Sequence, residues 1–474
     1  MSATIDHSDV QGNILRGYRR ALVRHLILEI SDRKAARAFL GASARGGDND
    51  IPGITREGGK RWERKPDACF NIGLTYEGLS ALGAPERSLA TFPVEFIEGM
   101  TSRALKCGDF GSSAPTNWPP PFDRPERVHV IASVYADVAE HIDRVQAQVA
   151  RAFNVLGVRD GRNLPDNKVF FGYRDSISQP RFEGIHDSDL DGVKEPLDPL
   201  GTVLLGYPTR LEGLQFRVPS PNVLGFNGAF NAFRVLAQDV VAFEDYLTAA
   251  AEELLKLPEP DAVLPPGGEC RIGQGMGRRL SRVEALREIV AAQICGRWRD
   301  MRGTPVALAP EAPDAPDSAT SVTNFDYGRG SQCPAGAHIR RAHPRGGQIV
   351  QRVANYTRRL VRRGMSYGPD FNPTRPDTNE RGLLGNFIGA NLGAQYEAVM
   401  CDWVNLGLQD PDITGANDPL IGANVPEMSW FDLSLRNGRT IRLRHIPRFV
   451  RARGGAYTFL PSLSAIQYLS RLEG

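Results

Sequence analysis

At 474 residues the chain exceeds what one hydrophobic core usually serves, so two packed units are expected, with ample volume to bury a large cofactor. Hydrophobic residues at 41% and charged residues at 24% exclude a disordered chain, and 49 Gly with 34 Pro imply many turns and long loops. The formal net charge is only +2, with arginines gathered in one region instead of a lysine-rich stripe, which argues against a nucleic-acid partner.

No apolar run approaches the ~18 residues of a membrane-spanning helix, so no membrane partner is expected. The first twenty residues carry acidic side chains and no apolar stretch, which predicts neither a secretory nor a twin-arginine signal. The six cysteines are scattered and form no disulfide-like framework, so a reducing cytoplasm is the expected location.

In chain order, 22–30 alternate as a strand and 34–40 open a helix. The same order returns at 69–75 and 76–82, and a Pro-rich break at 118–125 precedes a strand at 128–135. Asp137 and Glu140 stand at capping-box spacing before a helix with Val138, Ile142, Val145 and Val149 on one core face. A strand at 168–173 is expected to deliver Asp175 onto a loop, and the loop at 183–228 includes DSDLDG (187–192), whose spacing departs from a calcium loop and reads as surface. A strand at 231–238 leads to a helix facing the core with Phe243, Leu247, Ala250 and Leu254, and Ser281 with Glu284 cap another helix to about Cys295. GQGMG (273–277) lacks the third glycine of a dinucleotide fingerprint, and PEAPDAPDS (310–318) reads as a solvated loop. Strands over 359–365 and 382–392 and a helix over 393–406 complete the reading.

The chemistry concentrates at 325–368, where His338 follows Cys333, Pro334 and Gly336 and opens the run Ile339-Arg340-Arg341 before Pro344. A neutral imidazole on a short rigid turn can bind iron, and nearby arginines, Arg345 among them, can meet the two carboxylates of a haem. A satisfied structural histidine is one alternative, and a zinc site from Cys333, His338 and His343 is another. The zinc spacing lacks a close C-x2-4-C pair and an evident fourth ligand.

The segment around His338 resembles the proximal motif of the dye-decolourising peroxidases, a CPxGAHIRR run whose histidine is the axial ligand. GYRDSISQP (172–180) is similar to the family's GxxDG loop ending in ISQP, except that Ser176 stands at the second glycine. Arg362 in RRGMSYG matches a third element, and VQGNIL (10–15), FNIGLTYEGLSALG (70–83), GRWRDMRGTPV (296–306) and FLPSLSAIQYL (459–469) extend the resemblance along nearly the whole chain.

The resemblance implies an α+β fold of tandem ferredoxin-like units with antiparallel sheets, residues 1–228 carrying the distal Asp loop and 229–474 holding haem b. It implies a peroxidase that reduces hydrogen peroxide and oxidises dyes, phenols or similar donors in one-electron steps through a ferryl state. Asp175 would shuttle the proton and Arg362 would stabilise developing charge. Glu397 in LGAQYEAVM would accept the other ring N–H of His338. Gly385 in place of the family's aromatic after GLL implies a more open distal pocket. A backbone at Ser176 that any residue tolerates is the favoured expectation, and Tyr367 and Trp403 are candidate surface aromatics for electron transfer. A haem-handling or sensing protein without turnover is the competing reading, and self-association is left open.

Overall fold

Alternating and fully apolar runs become nine strands: β1 (Leu22–Glu29), β2 (Ala68–Leu74), β3 (Val130–Ala136), β4 (Asn154–Arg162), β5 (Ala229–Gln238), β6 (Val361–Arg362), β7 (Met365–Tyr367), β8 (Gly382–Gly389) and β9 (Val450–Leu460). In the computed structural model, which describes residues 5–472 apart from 59–61, 187–188, 191–192, 195, 212, 314–321, 329–331 and 348–355, they form one sheet. Its order is β5-β9-β2-β3-β1-β4-β7-β8-β6, every pairing is antiparallel, and a further β5–β8 pairing closes it into a barrel. Closure leaves few unpaired edges, and it explains why every residue of β3 is buried: one face lines the barrel and the other lies under helices.

The expected α+β class with antiparallel pairing holds. The boundary between 228 and 229 coincides with the start of β5, yet the sheet runs across it, since β9 pairs with β2 and β7 with β4. The segment expected as one strand over 359–365 is two, broken at Arg363-Gly364, and both pieces lie along β8. The DSDLDG and PEAPDAPDS runs fall largely outside the described residues.

Outside the barrel, α1 (Arg33–Arg45) and α2 (Ala139–Val149) cover the first half. Asp137 does not cap α2: its carboxylate takes Arg20 Nη1 at 2.6 Å and the Ala21 N–H at 2.9 Å, and Val138 is exposed, while Ile142, Val145 and Val149 are buried as expected. In the second half, α3 (Val240–Leu255) buries Phe243, Leu247, Ala250 and Leu254, and α4 (Arg282–Cys295) starts with the full Ser281–Glu284 capping box. These two helices pack together and found a second apolar core, separate from that of the barrel. That core positions the candidate site. Phe171 and Tyr173, Cys333 and Ala337, and Leu420 all belong to it, so three segments far apart in sequence are anchored on one platform.

Candidate active site

The run expected as a strand at 168–173 is instead a tight turn. Val169 N–H donates to Tyr173 O at 2.9 Å and Gly172 takes φ +85, which doubles the chain back; the Phe171 ring then packs 4.6 Å from Phe243, and the Tyr173 hydroxyl donates to Ala291 O on α4 at 2.7 Å. Asp175 emerges from this anchored turn with its N–H bonded to Asn167 O at 2.7 Å. Gln179 then ties the loop to β6 reciprocally, its Nε2 donating to Arg362 O at 2.9 Å and its Oε1 accepting from Arg362 N at 3.0 Å. The Arg362 guanidinium also donates to Ser178 O and, at 2.9 Å, to Leu360 O.

Asp175 and Arg362 are reachable by solvent although protein surrounds them on nearly every side, so they line a recess. Burial raises the Asp175 carboxyl above the ordinary carboxylate value, opposed by the Ser176 N–H at 2.6 Å and by the charge of Arg362. Burial likewise lowers the Arg362 guanidinium to about 10, with Arg359 adding to the fall and Asp175 opposing it. It remains a cation at neutral pH.

His338 opens α5 (His338–Ala342). Its Nδ1 lies 2.9 Å from Oδ2 of Asp418, a fully buried carboxylate whose Oδ1 accepts from the N–H groups of Leu420 at 2.8 Å and Ile421 at 3.0 Å. Burial works against ionisation of Asp418, but the charge and hydrogen bond of His338, with Arg341 and the Ile421 N–H, hold it below the usual range. Glu397 is therefore not the histidine's partner. It sits on the barrel side of its helix with both oxygens taken, Oε1 by the Tyr457 hydroxyl at 2.9 Å and Oε2 by Arg103 Nη2 at 2.6 Å. The helix itself differs from expectation: it is wide-turned π-helix over Leu392–Glu397 and Val399–Asn405.

Two glycines of the 296–306 segment bring both sides of the site together. Gly296 (φ +91) closes α4 against Ile339, the residue after His338, and a Cβ there would strike the Ile339 side chain; Gly303 (φ +65) lies against Ile177 of the Asp175 loop, where a Cβ would overlap Cδ1. Glycine meets both demands at these two positions, since it alone takes that backbone conformation cheaply and has no Cβ to clash.

At the far end of α5, His343 is within electrostatic reach of Arg345, Arg359 and Arg362, and its ring lies 5.1 Å from Tyr356. Burial first, then these three cations, push its imidazole well below the ordinary value, and among the described residues its buried Nε2 has no hydrogen-bond partner. Arg345 is buried with its guanidinium 4.0 Å from the Phe325 ring. Arg359 is paired here with the buried Asp198, while Arg345 beside the neutral imidazole suits a group bearing carboxylates. Among the described residues no three His, Cys, Asp or Glu side chains gather as a metal-binding group, so Cys333, His338 and His343 do not converge as a zinc site would require.

Three further expectations change. Trp403 is 2% exposed beneath the Arg358 guanidinium, 4.8 Å from its ring, so it is not a surface aromatic; Tyr367 is half-buried and its hydroxyl donates to Glu380 Oε1 at 3.0 Å. The gap at Gly385 is filled, because a Cβ there would meet Phe387 Cε2 at 2.6 Å. Ser176 takes φ +57, the left-handed conformation that favours glycine. Such a backbone costs a non-glycine residue about 1–2 kcal/mol, partly offset by the freedom a glycine loses on folding. Ser176→Gly should therefore stabilise the fold by about 0.5–1 kcal/mol in chemical denaturation while changing the peroxide rate by less than about tenfold; a lower denaturation midpoint would contradict this account of the loop.

Asp418 is the site residue that sequence reading missed. Its signal is only the Asn-Asp-Pro turn at 417–419, which says nothing of a histidine eighty positions earlier.

No protein-family model matches the chain. It is 27% identical to Peroxidase 2 of Mycetinis scorodonius, over 98% of this chain and 88% of that protein, and 28% identical to the multifunctional dye peroxidase DyP2 of Amycolatopsis sp., over 97% and 95%. In sequence and in fold, over nearly its whole length, the chain is similar to dye-decolourising peroxidases. Among solved structures, an ancestral D-type dye-decolourising peroxidase superposes with a TM-score of 0.78 at 25% identity, covering 98% of this chain and 99% of that one. A dye-decolourising peroxidase in complex with 2,6-dimethoxyphenol gives 0.77 at 24% identity over 98% and 100%. Like these structures the chain is an α+β protein with a large antiparallel sheet, and no helix among its described residues is long and apolar enough to cross a membrane.

Proposed function

We propose that the chain is a haem peroxidase in which His338, through Nε2, would hold the haem iron and Asp175 and Arg362 would act on hydrogen peroxide, with dyes or phenols as one-electron donors. The observation that carries this reading is the His338–Asp418 pair. A carboxylate bound at Nδ1 fixes the tautomer that leaves Nε2 free as a ligand and makes it more electron-donating. Arg345, buried beside His343, would hold a carboxylate of the cofactor. The six cysteines include no C-x-x-C-H attachment motif, which supports non-covalent haem b, and their free state supports a reducing, cytoplasmic setting.

When bound, haem supplies the iron that takes up the oxidising equivalents of peroxide. Asp175, ionised, accepts the proton of the near peroxide oxygen and returns it to the departing one. Arg362, fixed by Ser178 O and Leu360 O, places a permanent positive charge where negative charge grows as the O–O bond breaks. The Gln179 bonds hold these two groups in register without substrate.

The ultraviolet-visible spectrum of the haem-loaded protein before and after one equivalent of peroxide tests the reading: the Soret band should shift and return on adding a phenol. A band unchanged by peroxide would leave a haem-handling protein. Asp418→Asn should weaken haem affinity about 10–100-fold, the usual cost of losing such an outer partner. Haem titration of the variant checks this, and wild-type affinity would remove Asp418 from the site.

A further inference from the structure

A chain of aromatic side chains begins beside Arg362 at the half-buried Phe387, continues through two buried tyrosines and ends at a carboxylate the site does not use. Phe387 is the register partner of Arg362 across β6 and β8, so the two side chains share one face of the sheet. The Phe387 ring lies 5.5 Å from Tyr396, and Tyr396 lies 6.1 Å from Tyr457, edge to face. The Tyr457 hydroxyl donates to Glu397 Oε1 at 2.9 Å, and Cys107 Sγ lies 3.4 Å from that hydroxyl. Tyr396, Tyr457, Glu397 and Cys107 are each 3% exposed or less. Arg103 grips both oxygens of Glu397, Nε donating to Oε1 at 2.5 Å and Nη2 to Oε2 at 2.6 Å, and its Nη1 reaches Glu98, on the open side, at 2.6 Å, so Oε1 gives up the Arg103 Nε bond as it takes a proton.

We propose that Tyr457 is an internal one-electron donor to the peroxide-oxidised site, reached through Tyr396, with Glu397 as its proton acceptor. The proposal rests on the peroxidase reading, since hydrogen peroxide acting through that site is the oxidant. A phenol gives up an electron readily only if its proton leaves as well, and a buried one has no water to take it. Here the electron passes to the oxidised site, the Tyr457 O–H bond breaks, and the proton crosses the existing hydrogen bond to Glu397. The products are a neutral phenoxyl and a carboxylic acid. Arg103 keeps Glu98 as its anion, so no charge is stranded. An electron from the reducing substrate and the proton from Glu397 restore the phenol. Burial raises Tyr457 well above the ordinary tyrosine value, so it does not ionise beforehand and electron and proton leave together. Such a store would hold an equivalent inside the barrel when no donor is bound.

The test is freeze-quench electron paramagnetic resonance of the haem-loaded full chain after one equivalent of hydrogen peroxide, with and without ring-deuterated tyrosine. The wild type should show a signal that narrows on deuteration. Tyr457→Phe should abolish it, Tyr396→Phe should slow its appearance, and Glu397→Gln, which keeps the phenol and removes the proton acceptor, should diminish it. In all three the peroxide-induced Soret change should proceed at the wild-type rate. An identical tyrosyl signal in Tyr457→Phe, or none in a wild type whose Soret band does change, overturns the relay alone. If Tyr457→Phe does not fold, an undiminished signal in Glu397→Gln overturns it equally. A wild-type Soret band indifferent to peroxide overturns the peroxidase reading and the relay with it.

Discussion

His338→Ala is expected to lose haem while keeping the fold, because the apolar platform that carries α5 is built by α3, α4 and the residues flanking the histidine and not by the imidazole. Ala337 and Cys333 stay buried in that core, and Arg341 still donates to Trp403 O at 3.0 Å and to Ala416 O at 2.9 Å, tying the helix to the wall that bears Asp418. The variant leaves the Asp418 carboxylate buried without its histidine, so a modest loss of stability should accompany the loss of haem. Circular dichroism should remain that of the wild type, and the pyridine haemochrome should show little haem after desalting. Added imidazole, filling the space of the missing ring against Asp418, should restore part of the Soret band. Full haem content in His338→Ala would remove the axial-ligand assignment.

The second large effect is expected at the recess. Asp175→Asn and Arg362→Leu should each retain haem and slow the reaction with peroxide by on the order of 10²- to 10⁴-fold, the range for removing one proton-transfer or charge-stabilising group. Stopped-flow mixing measures this, and wild-type rates in both would end the shuttle mechanism. The pH profile separates the roles. Asp175 must be ionised to accept a proton, and burial raises its carboxyl, so the wild-type rate should fall with acid through a value above the ordinary 3.8. Arg362 lowers that carboxyl; its removal should move the acid limb to higher pH, whereas Asp175→Asn should abolish the limb. Arg362→Lys should keep the limb near its wild-type place, because the charge remains, yet recover only part of the rate, because an ammonium lacks the fork that reaches Ser178 O and Leu360 O together.

Local patterns carried much of this protein. The period of apolar residues marked α3, and the Ser281–Glu284 spacing marked the start of α4, because both depend on neighbours within one or two turns. The motifs at Asp175, His338 and Arg362 were legible through their resemblance to a known family, each being a short contiguous run. Where sequence misled, a distant partner had decided. Asp137 forms a cap only if nothing better is near, and Arg20 was better. The run 168–173 has the composition of a strand, but Gly172 and the aromatic platform of α3 turned it back. Glu397 and Asp418 are both acids within reach of the π-helical region in sequence, and no spacing rule could say which faces His338. That choice belongs to the fold, in which the barrel claims Glu397 through Tyr457 and Arg103, and the turn at 417–419 brings Asp418 to the histidine. The sequence by itself determined which residue types were available for the chemistry and the local turns that present them; the tertiary structure alone decided their partners, because a hydrogen bond forms with whichever group the packing of apolar cores brings within 3 Å, however far away it lies in the chain.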